Sequence, residues 1–512
     1  MRGRLLLAPF FGFLLLSGCG PQKESEPNDD FSRPSLARVG RLEGNLSSPT
    51  DVDIYQVEAK QESVLSVRVG GVREADFVLS VRDKDRFELK RVDETASGGD
   101  EELLDIGLAP GPYYVVLANK NERVEISQPY QMSIKMDKSV GREREPNESI
   151  PNASPLELPG VTRGHHHPSR NLLSGDTDYL EVDWHRLEVS QSGAFLLNLE
   201  LSGVPRVDAM LEIYDVNGYR LRQVDQNGAG EGEVLRHLGV RGPAQYRIRL
   251  LSKTRSGNPS ASYEILTELI PYQGRNEFEP NDQRSDATVF EAEAMEAQLS
   301  PEGDVDWYRI AVAEENKQIL SASVSGIEGL DISLAAGDGL GSIVVTADNM
   351  GLGQPETLTG LGAVKGDYYL IVSGRGGRKE GRRQYELTRS LSPFQPGLEF
   401  EMNDSMASAQ PIKIGESVDG FLAPKGDLDV YQFNVYRKGS VLFELAGVLN
   451  VQPSASLFDQ DNKPLGNWSA PKAGDSLSFE KALDLGTYYI ELRAGPEQSN
   501  VRDKYSLRLK AR

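Results

Sequence analysis

Along most of this chain apolar and polar residues alternate with a period of two. In the run from Val64 to Val69, Leu65, Val67 and Val69 share one face while Ser66 and Arg68 share the other. The runs "LLNLEL" (196–201) and "LFELAGV" (442–448) behave alike. Successive side chains of a strand point to opposite faces, so each run predicts a strand with one buried face. Clusters rich in Gly, Asp and Asn, such as "SGGD" (97–100), "DVNG" (215–218) and "DQDNK" (459–463), fall between the runs and predict turns. Short strands punctuated in this way predict an all-β fold of antiparallel sandwiches. The N-terminus departs from the pattern. Arg2 and Arg4 precede an unbroken apolar stretch from Leu5 to Leu16, about 12 residues, where a spanning helix needs ~20. Residues 1–18 are therefore expected to be a signal peptide.

Three groups of residues recur four times in fixed order. The first is acidic: "KESEPNDDF" (23–31), "REREPNESI" (142–150), "NEFEPNDQR" (276–284) and "LEFEMNDSM" (398–406). The second is "DVDIY" (51–55), "EVDWH" (181–185), "DVDWY" (304–308) and "DLDVY" (427–431). The third is a glycine followed by aromatic and branched residues, "GPYYVVL" from Gly111, "GPAQYRIRL" from Gly242, "GDYYLIV" from Gly366 and "GTYYIEL" from Gly486, leading to strands that open at Tyr130, Tyr263, Tyr385 and Tyr505. The intervals repeat: 27 residues separate Glu26 from Asp53 and Glu279 from Asp306, 28 separate Glu401 from Asp429, and 19 separate Gly111, Gly366 and Gly486 from their tyrosines. Repetition at this length means tandem modules. They are expected at 24–139, 143–272, 277–393 and 399–512, each long enough to bury its own core. Module two places Asp183 in register and carries an insertion of about 11 residues near "GVTRGHHHPSRNLLSGD".

The tetrapeptide Leu16-Ser17-Gly18-Cys19 resembles the lipobox of bacterial lipoproteins. The resemblance implies cleavage before Cys19, acylation of its sulfur and a membrane anchor, with Gly20 implying the outer membrane. Cys19 is the only cysteine, so no intrachain disulfide is available. The net charge of −21 becomes −23 once Arg2 and Arg4 are removed with the leader. So acidic a chain offers no broad basic surface for nucleic acid and favours cations as partners.

Glu-x-Glu-Pro-Asn-Asp, then Gly-Asp-x-Asp-Trp-Tyr, then Gly-x-Tyr-Tyr, then Tyr-x-Leu is similar to the bacterial pre-peptidase C-terminal domain, which includes the collagen-binding domains of clostridial collagenases. The resemblance covers nearly all of 24–512 and implies four jelly-roll-like β-sandwiches, some of whose relatives hold calcium through the acidic segment. Side chains two apart in an extended strand share a face, so Glu24, Glu26, Asn28, Asp29, Asp51 and Asp53 converge if the fold joins the two segments. Carboxylates so crowded repel unless they protonate or take up a cation, and calcium accepts six to eight hard oxygens of these types. The corresponding residues are Glu143, Glu145, Asn147, Glu148, Glu181 and Asp183; Glu277, Glu279, Asn281, Asp282, Asp304 and Asp306; and Glu399, Glu401, Asn403, Asp404, Asp427 and Asp429. The alternative is that Pro-Asn-Asp is a turn and Asp-x-Asp only opens a strand.

The remaining candidates carry less. Paired tyrosines such as Tyr368 and Tyr369 are expected to bury one ring each, and the strands after them lack the extra aromatics of collagen binders. All five histidines lie in module two, and His165, His166 and His167 read as a solvated insertion loop that could otherwise bind a metal. "GRGGRKEGRRQ" from Gly374 reads as a hairpin tip, or a contact for lipid phosphate. No Gly-x-Ser-x-Gly, His-Glu-x-x-His or phosphate-loop motif is present, so catalysis is not expected. The expectation is a non-catalytic, lipid-anchored envelope protein whose calcium-stiffened modules bind a surface polysaccharide or partner protein; the alternative is a spacer or assembly lipoprotein.

Overall fold

A computed structural model describes residues 20–121, 126, 128–167, 182–300, 303–375 and 384–512. Residues 1–18, Cys19, Glu181, the rest of the insertion in module two and most of the basic run after Arg375 lie outside the described residues. The described chain is built of strands, with single 3-10 turns at Ile150–Asn152 and Arg284–Asp286. None of its helices is long and apolar enough to cross a membrane.

Module one is two facing five-stranded sheets. One orders Gln22–Lys23, Gly40–Gly44, Tyr130–Lys138, Ser63–Val69 and Glu101–Leu108; the other orders Ser35–Leu36, Val52–Ala59, Gly111–Asn119, Phe77–Arg82 and Glu88–Val92. Modules three and four repeat this plan with sheets of five and four strands. Module two fuses its strands into one seven-stranded sheet, because Val182–Leu201 and Glu233–Ser252 run on for 20 residues each where the other modules break into two strands. The fold divides into two compact units. The first holds module one and most of module two; the second holds segments Gln191–Asn198 and Leu235–Gly242 of module two with modules three and four.

The alternation does what its period predicts. Leu65, Val67 and Val69 are fully buried with Leu79, Val81, Val115 and Leu117, whereas Ser66 and Arg68 face outward. Burying such side chains contributes about 1.5–3 kcal/mol each. Turns form where Asp stands first: Oδ1 of Asp83, Asp215, Asp338 and Asp459 each accepts the N–H groups two and four residues on. Of the paired tyrosines, Tyr369 and Tyr488 are buried as expected, but Tyr113 and Tyr114 are both half-buried; the Tyr113 and Tyr368 hydroxyls accept from the N–H of Ala109 and Val364 in the preceding loop.

A second, unpredicted repeat is a pair of glycines. A Cβ on Gly71, Gly203, Gly326 or Gly447 would lie 2.1–2.2 Å from the carbonyl oxygen of Gly98, Gly230, Gly353 or Gly474, and each partner glycine has φ between +76° and +89°. Only glycine satisfies both the contact and the left-handed backbone.

Modules are joined by main chain. In module one the strand Glu101–Leu108 carries a bulge opposite Ser66, with Asp105 at φ 55°. Glu145 N–H donates to Asp105 O at 2.7 Å, and Gly107 N–H donates back to Glu145 O at 2.9 Å. His237 and Gly360 repeat the positive φ, at 57° and 78°, and bond Glu279 and Glu401 in the same reciprocal way. Gly107, Gly239 and Gly362 then lie against Arg144, Phe278 and Phe400, the residue between the two glutamates, leaving no room for a Cβ. In module four the matching strand, Leu477–Leu483, pairs with Gly439–Leu445 without a shift in register.

Candidate metal centre

Each acidic segment is held against its own module by backbone bonds: the first glutamate, Glu24, Glu143, Glu277 or Glu399, gives its N–H to the main-chain oxygen of Glu43, Arg163, Glu296 or Asp419, and the residue that follows Asp-x-Asp adds another. Ile54, Trp184, Trp307 and Val430 donate N–H to the main-chain oxygens of Asn28, Asn147, Asn281 and Asn403 at 3.0–3.1 Å. That bond brings Glu-x-Glu against Asp-x-Asp. Carboxylate oxygens of Glu24, Glu26 and Asp53 lie within 4.8 Å of one another, as do those of Glu143, Glu145 and Asp183, of Glu277, Glu279 and Asp306, and of Glu399, Glu401 and Asp429. A fifth group, Glu401, Asp404 and Asp427, meets the same distance.

The first glutamate is fixed by a backbone donor in every module: Asn45, His165, Gln298 and Phe421 give their N–H to Glu24, Glu143, Glu277 and Glu399 at 2.6–3.0 Å. Beneath it lies a pair of phenols. Tyr55 donates to Glu24 at 2.7 Å and meets Tyr130, which donates to Asp53 at 2.5 Å. Tyr431 and Tyr505 both bond Glu399 Oε1, at 3.1 and 2.7 Å. In module two His185 replaces the first tyrosine, its Nε2 3.1 Å from the Tyr263 hydroxyl, which donates to Glu143 at 2.6 Å. Close approach of these groups needs a missing side chain: a Cβ on Gly44, Gly164 or Gly420 would come within 2.6 Å of the second tyrosine's hydroxyl. Module three has Ala297 opposite Tyr385 at this register, and there the Tyr308 bond to Glu277 stretches to 3.4 Å.

Four asparagines supply the remaining chemistry. Asn28, Asn147, Asn281 and Asn403 are fully buried, and the Oδ1 of each meets no hydrogen-bond donor. Asn28 and Asn403 leave Nδ2 unpartnered as well. A buried amide oxygen without a donor costs about 1–3 kcal/mol, and it is a hard ligand for a cation. Asp429 is fully buried too; it faces the Glu399 carboxylate and neither of its oxygens meets a donor.

Burial pushes these carboxyls up: Asp53 to about 8, with Glu24 and Asp51 adding repulsion, Glu401 to about 9 and Asp427 to about 8. Glu143, Glu277 and Asp429 are raised well above the ordinary range, again by burial first and then by their carboxylate neighbours. Raised carboxyls around donor-free oxygens are what a polyvalent cation site shows without its ion. The donor set is all oxygen, the ligand type that hard cations such as calcium take.

Not every expected residue joins the centre. Asp29 and Asp282 are exposed; Asp29 turns to Asp51, with which it shares a hydrogen bond. Asp51 and Asp304 instead cap the preceding loop, accepting N–H from Ser47 and Ser300; Asp427 caps its loop in the same way, accepting from Ala423, and also stands in the fifth group. Glu148 pairs with Lys90. The histidines correct the expectation of a solvated loop. His165 ends the strand Gly160–His165, paired with Ser262–Pro271, and His166 and His167 are 2% and 8% exposed. The cause is partners on both sides: His165 Nδ1 lies 2.5 Å from Asp105 of module one, and His166 Nδ1 lies 3.1 Å from Asp183. His237, which no motif pointed to, is the left-handed residue of module two, with Nδ1 3.3 Å from Glu277.

No family model matches the chain, and no curated protein matches it. Among solved structures, it is similar to the pre-peptidase C-terminal domain of collagenase from Bacillus anthracis, at 19% identity over 20% of this chain and 94% of that one, TM-score 0.18. It is also similar to the CUB1-EGF-CUB2 region of human MASP-1/3, at 8% identity over 43% of this chain and 100% of that one, TM-score 0.15.

Proposed function

We propose that this chain is a non-catalytic protein of the bacterial cell envelope, anchored through lipid on Cys19, whose sandwich modules are stiffened by calcium and bind a surface polymer or a partner protein. The observation that carries the calcium part is fourfold: a buried asparagine oxygen without a donor beside three clustered carboxylates at the start of every module. When bound, the ion would be held by Glu24, Glu26, Asn28 and Asp53 and their counterparts, and it would supply the positive charge that the cluster lacks. Repetition of a weak binding surface raises avidity through effective concentration, which supports an array that grips a repetitive ligand. The reading as a spacer is favoured by a separate observation, the reciprocal backbone bonds at Asp105 and Glu145 and at Gly360 and Glu401, which order the joints.

Calorimetry on the full-length protein tests the metal. Calcium at 100 times its dissociation constant adds about 2.7 kcal/mol to the module that holds it. Coincident melting curves in calcium and in chelator would refute the reading. Magnesium is expected to substitute poorly, because it demands a tighter octahedron. Pull-down from intact envelopes, with the Cys19→Ala protein released from the membrane as bait, separates the two roles: a captured polymer or protein supports binding, and none supports the spacer.

A further inference from the structure

Lys90 lies on the outer strand Glu88–Val92 of module one, yet its ammonium group ends among the carboxylates of module two. Nζ is 3.0 Å from Glu145 Oε2 and bonds Glu148 Oε1 as well, with the lysine side chain 16% exposed and that of Glu145 1%. Glu145 and Glu148 stand in module two where Glu401 and Asp404 stand in module four. The residue that the preceding module presents to them differs in charge. Lys90 pairs with Val81, which pairs with Val115 opposite Tyr55. Val345 pairs with Ala336, which pairs with Leu370 opposite Tyr308. The two residues therefore hold the same place in their sheets, and module three offers an isopropyl group where module one offers a cation.

The consequence is visible at the joint between modules three and four. Val345 lines a cavity of about 440 Å³ together with Glu401, Asp404 and Asp427. Those three carboxylates lie within 4.8 Å of one another, Glu401 Oε1 is buried without a partner, and the neighbouring Asn403 side chain is fully buried with neither polar atom satisfied. A lysine fits this requirement in module two because an ammonium group is a compact charge with three donors on a long stem.

We propose that Lys90 is a tethered cation standing in for a metal ion: the joint between modules one and two is closed by its ammonium group, whereas the joint between modules three and four is closed by a divalent cation held by Glu401, Asp404 and Asp427. The residue at this one register decides whether a joint depends on metal. The inference rests on the calcium reading above and adds to it which joint responds to the ion.

Ion counting by calorimetric titration of the full-length protein with calcium chloride, after chelator treatment, tests this. Val345→Lys is expected to bind one ion fewer than the wild type, and Val345→Met, of similar length without charge, the same number. Lys90→Met is expected to bind one more. A wild-type count retained in Val345→Lys overturns the inference while leaving the calcium reading intact, and so does a loss in Val345→Met equal to that in Val345→Lys. A wild type that takes up no calcium refutes the calcium reading itself. Lys90→Gln takes the place of Lys90→Met where the latter fails to fold; a count equal to the wild type in the folded variant also overturns the inference.

Discussion

The hydroxyls of Tyr308 and Tyr385 meet at 2.6 Å in the fully buried floor of the third acidic cluster, and Tyr385 passes its proton on towards Asp306. The two tyrosines are 77 residues apart and belong to different sheets of the sandwich, so this contact ties the sheets together under the carboxylates. Each phenol also stabilises whatever negative charge lies above it, since hydrogen bonds to a carboxylate favour its ionised form.

Tyr385→Phe is therefore expected to destabilise the protein by about 1–3 kcal/mol, the cost of leaving a buried acceptor without its donor. Urea denaturation in chelator measures it. An unchanged midpoint would mean that the hydroxyl pair contributes packing alone.

Stability should fall with rising pH when calcium is absent. Asp53, Glu401 and Asp427 have folded values raised to about 8, 9 and 8, above the unfolded carboxyl range. A group raised in the folded state stabilises fully below its unfolded value, and that contribution is lost as pH climbs through the folded value. In chelator, melting temperature is expected to drop between about pH 4 and pH 9. Calcium binds the ionised cluster and releases protons, so the gain it gives should grow over the same window. Melting scans with and without calcium at pH 5 and pH 8.5 decide the matter, and a gain that is the same at both values would contradict the assignment.

Asp429→Asn replaces a fully buried carboxyl, whose ionisation burial and its carboxylate neighbours oppose, with a neutral amide of the same shape. The variant is expected to melt higher than the wild type in chelator, where repulsion dominates, and lower in calcium, where a ligand is missing. The crossing of the two orders is the test; a variant less stable under both conditions would show that the carboxylate is held by something other than a cation.

Gly420 faces the Tyr505 hydroxyl and the Glu399 carboxylate with no space for a branched side chain. Ala297 shows that one methyl is accommodated at the same register, at the expense of a longer bond from tyrosine to glutamate. Gly420→Ala is thus expected to fold with a stability loss of about 1 kcal/mol, and Gly420→Val to lose 3 kcal/mol or more through overpacking. Equal losses, read by urea denaturation, would mean that the site relaxes freely.

Alternation and the spacing of the acidic, Asp-x-Asp and tyrosine positions made the strands and the clusters legible, because a period of two and a fixed interval survive without knowledge of the fold. The pairing of Tyr55 with Tyr130 was present as two separate recurrences and could not be joined, since nothing local says that residues 75 apart touch. The glycine pairs had a sequence signal, a constant spacing of 27 from Gly71 to Gly98, Gly203 to Gly230, Gly326 to Gly353 and Gly447 to Gly474, hidden among 51 glycines. The histidines misled for a physical reason. His166 and His167 border the insertion in module two, and polarity beside an insertion reads as loop, whereas carboxylates from two modules make burial of imidazole possible. Lys90 was illegible altogether, because its role belongs to the neighbouring module.

The regular pairing of Leu477–Leu483 with Gly439–Leu445 has a consequence for how such chains can evolve. Modules one to three each bear a raised, left-handed residue that accepts the next acidic segment, and module four offers a smooth strand in its place. The copies are thus not interchangeable parts. A recombination that put module four in the place of module one, two or three would graft the next acidic segment onto a strand with no left-handed residue to receive it, and the order of these copies is itself a heritable property of the protein.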